Sequence, residues 1–289
     1  MLLYKYYSPK KHNFDSILNG QFWFASNPTL NDPYDLYSGE ILLRQKVTKE
    51  EDVQTRIKKI IESYHIDQAG KDIKSEILQF VSCSFSINPI DRLMWAHYAD
   101  SYKGFCAGFE IDDNLIDNGY CVEDKFHKIL YLDQMPFPLS GRGFNFNKNR
   151  HLIDDDICYK RYYNLVGLEE AIVEYYQSNP NVLKEYLIQM LCIKAQEWVY
   201  EQEFRLISKI NTTEIGQLND WPKGIKLKEI ILGNSFILDE EDNGARETLN
   251  FLYDVKNKYD EVDFFYLALD DLHHFSLNIT PYNLKHNTL

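Results

Sequence analysis

Lys194–Ser208, KAQEWVYEQEFRLIS, is the stretch whose reading decides the fold. From Val199 to Ile207 it is rich in β-branched and aromatic residues, so a β-strand is expected there, with alternate side chains on opposite faces. That alternation turns Tyr200, Phe204 and Leu206 toward a core, with Gln202 among them. It sets Glu201, Glu203 and Arg205 on the other face. Two carboxylates and a guanidinium beside Trp198 are the densest concentration of chemistry-capable groups in the chain. Two readings follow. In one, the face is solvated and Arg205 neutralises two acids, as structural ion-pair networks do. In the other, the carboxylates have pKa values held apart, as a reacting site needs.

Upstream, Leu165–Tyr176 and Pro180–Lys194 read as a helical hairpin delivering the chain to this strand, with Pro180 suited to a first helical position. At the N-terminus Leu2–Tyr7 is a short strand with Leu3, Lys5 and Tyr7 on one face and Leu2, Tyr4 and Tyr6 on the other. Asn13–Asn19 is a short helix closed by Gly20, and Gln21–Ser26 a second apolar strand. The loop NPTLNDPYD follows. Its Asn31, Asp32 and Asp35 either fold back on their own backbone or form a polar lip beside a pocket. Thr48 and Glu51 make a capping box for an amphipathic helix, and a second helix, Asp72–Phe80, runs into a buried strand, Val81–Ser86. Ser82, Ser84 and Ser86 give that strand a hydroxyl face. Asp91 caps a helix carrying Trp95, His97, Tyr98 and Tyr102 that Gly104 ends. Phe105–Ile111 and Lys125–Leu132 are further strands. Beyond the central stretch, Leu227–Gly233, Val262–Leu269 and Phe275–Pro281 read as strands around a helix, Asp239–Tyr259. No regular βαβ rhythm links these elements, which points to one mixed α+β domain over residues 1–289, with helical insertions at about 48–80 and 160–195.

Of the 289 residues, 44% are hydrophobic and 15% aromatic, enough for a substantial core. The 44 acids against 31 bases leave a net charge of -13, which argues against broad binding to nucleic acid or an anionic membrane. Arg142, Lys148, Arg150 and His151 form the best local basic patch. Five scattered cysteines without CxxC spacing suit reduced thiols. With no signal-like or membrane-spanning run, a cytoplasmic protein is expected. The histidines lack metal-ligand spacing, so no metal is expected. Gly141 and Gly143 do not complete a dinucleotide fingerprint.

LYKYY (Leu3–Tyr7), FASNPTLNDPYD (Phe24–Asp35), SCSFS (Ser82–Ser86), LMWAHYADSYKGFCAGF (Leu93–Phe109), KAQEWVYEQEFRLI (Lys194–Ile207) and LKEIILG (Leu227–Gly233) together resemble the bacterial domain-of-unknown-function 2971 family. More distantly, an aromatic-basic first strand, a serine strand and a late E-x-E strand are similar to the motif order of ADP-ribosyltransferases. That resemblance implies a central, largely antiparallel split sheet flanked by helices, and NAD as substrate. It sets Lys5 with Tyr4 or Tyr6 in the first position, where those enzymes carry His or Arg. Ser84 or Ser86 takes the second position, and Glu203, with Glu201 before it, the third. A fixed carboxylate stabilises the oxocarbenium-like state of glycosidic cleavage, so Glu203 would hold that charge while Glu201 orients or deprotonates an acceptor. Arg205 or Lys103 would meet the pyrophosphate, and Trp95 or Tyr98 would stack on the nicotinamide. Glu203→Gln is expected to abolish turnover with the fold intact. The ligand would be a small nucleotide and the acceptor protein or nucleic acid. By analogy with such families, which commonly sit among bacterial toxins and phage-defence genes, the resemblance implies a growth-arresting effector. A non-catalytic binding module is the second reading, and a nuclease using His97, Lys103 and Glu203 the third.

Overall fold

The computed structural model describes residues 1–26, 80–119, 122–132, 185, 188–189, 191–209, 216–235, 243–259, 261–269 and 277–282. Its framework is a large, mostly antiparallel sheet. The N-terminal strand β1 (Leu2–Tyr7) lies antiparallel to β4 (Phe105–Ile111), with Leu2 opposite Glu110 and Tyr7 opposite Phe105. Against the far edge of β4 runs β10 (Ile225–Leu232), with an irregularity between Leu227 and Glu229. Next come β11 (Asp263–Leu269), parallel to β10, and β12 (Leu277–Pro281), antiparallel to β11. The parallel step is bridged by a helix, α3 (Asn243–Lys258), as such a crossover requires.

On the other side of β1 the sheet splits. Strand β3 (Phe80–Ser86) pairs along its whole length with β8 (Glu203–Lys209), from Phe80 opposite Lys209 to Ser86 opposite Glu203. Its second edge is therefore left to two different neighbours. β1 touches it at Tyr4 opposite Ser86, and β2 (Gln21–Ser26) at Ala25 opposite Ser82 and Ser26 opposite Val81. Between those contacts Cys83, Ser84 and Phe85 pair with neither, and a notch opens where β1 and β2 diverge. β9 (Gly216–Asp220) extends β2, and β5 (Lys125–Lys128) extends β8. A separate parallel pair joins β6 (Leu130–Leu132) and β7 (Ile193–Ala195).

Period-2 alternation decides which core each side chain enters. Leu3, Tyr7, Val81, Cys83, Phe85, Phe105 and Phe109 pack on one face beneath α1 (Lys11–Asn19) and α3, against Phe14, Ile17, Phe251 and Leu252. On the opposite face, Tyr4, Tyr6 and Cys106 pack beneath α2 (Arg92–Tyr98) with Met94 and Trp95. A third cluster, including Phe80, Ile129, Tyr131, Leu191 and Ile207, lies under Trp198. The α+β class and the split, largely antiparallel sheet match the expectation from sequence.

Several boundaries differ from that expectation, each for a local reason. The central strand starts at Glu203, because Gln196–Glu201 is a 3-10 turn and Gln202 is left-handed at φ 43°. Helix α2 ends at Tyr98, not at Gly104, since Asp100, Ser101 and Tyr102 all have positive φ (48°, 54° and 68°). Gly104 instead lets the backbone pass the carbonyl of Tyr7, where a Cβ would collide. Lys125–Leu132 is two strands in two sheets, and Phe80 and Ile193–Lys194 are strand, not the ends of helices. β9 was not legible in GQLND, a segment without an apolar run. The expected loop with Asn31, Asp32 and Asp35, the capped helix at 48, the basic patch at 142–151 and most of both helical insertions lie outside the described residues.

Candidate functional site

The split opens onto a cleft of about 180 Å³ lined from five directions. β1 contributes Tyr4, Lys5 and Tyr6, and β2 contributes Trp23 and Ala25. β3 supplies Ser82 through Ser86, α2 supplies Met94 and Tyr98, and the Lys194–Glu203 stretch closes the wall with Lys194, Trp198, Glu201 and Glu203. Because β3 and β8 are in register, Ser84 stands opposite Arg205 and Ser86 opposite Glu203, so hydroxyls and charges share one face.

The wall is a buried tetrad of charges. Lys194 Nζ donates to Glu201 Oε2 at 2.5 Å and to Glu203 Oε2 at 3.1 Å. Arg205 forks onto the same glutamate, Nε to Oε1 at 2.9 Å and Nη2 to Oε2 at 3.0 Å. Its Nη1 donates to the Leu191 carbonyl at 2.6 Å. From α2 the Tyr98 hydroxyl donates to Glu201 Oε1 at 2.6 Å. Glu201 and Glu203 are each 3% exposed and Arg205 is fully buried. The solvated-face reading therefore gives way: these charges are desolvated and matched two against two.

The turn before β8 makes this possible. Left-handed Gln202, whose N–H donates to the Val199 carbonyl at 3.1 Å, swings Glu201 out of strand alternation. Glu201 and Glu203 then grip one lysine from two sides. A non-glycine residue in that conformation costs about 1–2 kcal/mol, which the tetrad and β8 offset. Glu203 is anchored further by its own N–H, which donates to the Tyr131 hydroxyl at 2.8 Å.

The environments push the two acids apart. Burial raises the Glu201 carboxyl. The Glu203 charge adds to that, Lys194 and Tyr98 oppose it, and the balance lies above the ordinary carboxylate value. Burial acts on Glu203 in the same direction, yet Arg205, Lys194 and a hydrogen bond from Ser84 outweigh it and hold this carboxyl down at about 2. Glu203 is thus a fixed anion and Glu201 the acid whose proton is more readily held.

Tyr4, Lys5, Tyr6, Ser84, Ser86, Tyr98, Glu201 and Glu203 all border this one cleft. Ser86 spends its hydroxyl locally, accepting from the Asn88 N–H at 3.0 Å. Tyr6 donates to the Asn88 carbonyl at 2.6 Å. Four other residues stand elsewhere. Trp95 is fully buried, edge-on to Tyr6 at 5.4 Å, with its indole N–H on the Pro89 carbonyl at 2.8 Å, so it is core and not a stacking platform. His97 and Lys103 are exposed and do not line the cleft. Arg205 lies behind Glu203 and spends its donors on protein acceptors, so a pyrophosphate would have to meet another cation.

Among the cleft residues given no site role from sequence are Trp23, Ser82, Lys194 and Trp198. Trp23 carried a signal, an indole on the solvent side of the alternating strand QFWFAS, and it is 49% exposed. Lys194 carried none, since its role depends on the turn that follows. Among the described residues no group of three His, Cys, Asp or Glu could hold a metal ion, and no helix is long and apolar enough to cross a membrane.

No curated protein and no solved structure matches the chain. Residues 94–206, which run from α2 through the tetrad into β8, match the model of the family described as a protein of unknown function, DUF2971, the family that the MWAHY and YEQEFR stretches resemble.

Proposed function

We propose that this cleft binds the nicotinamide end of an NAD-type nucleotide and cleaves its N-glycosidic bond, passing ADP-ribose to an acceptor or to water. The observation that carries this reading is the convergence of the N-terminal strand, the serine strand, Tyr98 and the two glutamates on one aromatic-walled hollow. In the proposed reaction the C1′–N bond breaks and neutral nicotinamide leaves with the electron pair. The oxocarbenium-like sugar, held beside the Glu203 anion, is captured by a hydroxyl or water whose proton passes to Glu201. Trp23 and Trp198 replace Trp95 as the flat surfaces available to a ring. At about 180 Å³ the cleft is smaller than the roughly 300–1,000 Å³ of drug-sized pockets, so it admits one end of a dinucleotide and leaves the rest outside. Turnover of NAD in a cell would make the protein a growth-arresting effector.

The tetrad changes the choice of test. Glu203→Gln would leave Arg205 buried against a neutral amide, so loss of activity there could reflect loss of fold. Glu201→Gln keeps an acceptor for Tyr98 and leaves Lys194 its bond to Glu203, and its melting midpoint is read beside its rate so that loss of fold is recognised. Nicotinamide release from NAD, followed by chromatography with mass spectrometry for ADP-ribosyl adducts, should fall by about 10²–10⁴-fold in that variant. Absence of release by the wild type, or an unchanged rate in Glu201→Gln, would overturn the reaction. A second reading, ligand binding without turnover, draws on the mutual pairing of all four charges. It predicts NAD binding in both proteins and release in neither.

A further inference from the structure

We propose that the notch between β1 and β2 is an anion subsite, in which Lys5 and Ser82 hold a phosphate of the ligand. This deepens the preceding reading by naming which group of a nucleotide is recognised, and where. Lys5 belongs by alternation to the face of Leu3 and Tyr7, yet its ammonium reaches into the split and donates to the Ser84 carbonyl at 3.1 Å. It also hydrogen-bonds Cys83, whose thiol is nonetheless pushed up by burial. An ammonium has three donors, so one is left for a ligand. The Phe85 and Tyr7 rings stand 5.4 and 5.8 Å from Nζ, and no carboxylate forms an ion pair with it among the described residues. With Lys194 and Arg205 matched to Glu201 and Glu203, Lys5 is the unmatched charge of the lining among the described residues, inside a chain of net charge -13.

Ser82 supplies the second, independent observation. It is 3% exposed, lines the same cleft, and its Oγ has no hydrogen-bond partner among the described residues. Buried hydroxyls are seldom left so, because an unmade hydrogen bond costs about 1–3 kcal/mol. Ser82 stands two residues from Ser84 on β3, about 7 Å along the strand, a span that a diphosphate bridges. An anion there would meet the Lys5 ammonium and take the Ser82 O–H, where an uncharged ligand would leave the ammonium unmatched.

Calorimetry with ADP, inorganic pyrophosphate and adenosine tests the assignment on the whole chain. ADP and pyrophosphate are expected to bind, with Lys5→Met weakening both at least tenfold and leaving adenosine unchanged. Ser82→Ala, which removes one oxygen from a site with no partner to lose, keeps the test open should Lys5→Met fail to fold; a three- to tenfold loss for ADP is expected. Wild-type protein that binds neither phosphate compound, or variants that bind ADP as the wild type does, would overturn the subsite. Phosphate binding that depends on Lys5 without any NAD turnover would end the proposed reaction and leave the subsite standing. Turnover indifferent to Lys5 and Ser82 would do the reverse.

Discussion

Arg205→Met is the perturbation that most directly asks whether the charge tetrad holds the fold. The substitution keeps an unbranched side chain of similar reach and removes a fully buried guanidinium. Glu203 then loses its two bonds at 2.9 and 3.0 Å, and the Leu191 carbonyl loses a donor at 2.6 Å. Breaking one partner of a buried pair costs about 3–5 kcal/mol. The lowered Glu203 carboxyl points the same way, since Arg205 and Lys194 together outweigh burial and stabilise its anion. At about 2–4 °C per kcal/mol, the melting midpoint should fall by roughly 10 °C. Denaturation followed by the fluorescence of the four tryptophans measures this, with Glu203→Gln and the double variant completing a cycle. Each single substitution should cost about 3 kcal/mol or more, and the double should cost less than their sum by at least about 2 kcal/mol. A loss below about 1 kcal/mol for Arg205→Met, or strict additivity, would refute the claim that the pair is desolvated and interdependent.

The pH dependence of stability should separate the two acids. Glu203, held at about 2, contributes stability that is present above its unfolded value near 4.5 and is lost as pH falls from there toward 2. An acid limb that Glu203→Gln leaves unchanged would contradict this. Glu201 is raised, so its native state binds the extra proton and wild-type stability falls as pH rises above 4.5. The midpoint of Glu201→Gln relative to wild type should therefore climb between pH 4.5 and neutrality, and a flat difference would count against it. Tyr98→Phe removes the 2.6 Å donor to Glu201, costs about 1.5–3 kcal/mol for a bond to a charged group, and should move the acid limb of any activity profile upward. Trp23→Ala should change stability little at an exposed indole, yet weaken a ring-bearing ligand by about 1–3 kcal/mol, read as a shift in its dissociation constant.

How much of this was legible beforehand depends on whether the signal was local. Leu2–Tyr7, Gln21–Ser26 and Phe105–Ile111 were readable to the residue because alternation and bounding polar residues sit inside each segment. The cap at Asp91 was readable for the same reason, and its carboxylate accepts from Leu93 and Met94 at 2.8 and 3.0 Å. The E-x-E segment was misread as continuous strand because Trp198, Val199 and Tyr200 all favour strands, whereas Gln202 adopts a left-handed conformation that no glycine announces. Trp95 and His97 looked like site residues by composition. On a helix of seven residues, one turn decides that Tyr98 faces Glu201, Trp95 enters the core and His97 meets solvent. Lys194 could not have been chosen, because its task exists only once the later turn folds back on it.

That last residue bears on why the cleft carries four buried charges at all. Desolvating an ion costs several kcal/mol even after relaxation, and replacing buried ion pairs with apolar residues often leaves stability equal or better. The Arg205–Glu203 pair lies within β8, and the Arg205 Nη1 ties that strand to the Leu191 carbonyl. Lys194, on β7, ties the separate β6–β7 pair to Glu201 on the turn and to Glu203 on β8. Glu201 sits on a 3-10 turn at the cleft wall, beside a tyrosine hydroxyl from a different element, and an indole lies 5.1 Å from the Lys194 ammonium. The desolvation cost of the Lys194–Glu201 pair is felt where a ligand would lie. A tetrad with one firmly ionised acid and one acid of raised pKa gives the wall a fixed carboxylate and a group able to take up a proton. Glu201 is therefore the acid whose replacement tests proton uptake, with Lys194 still bonded to Glu203.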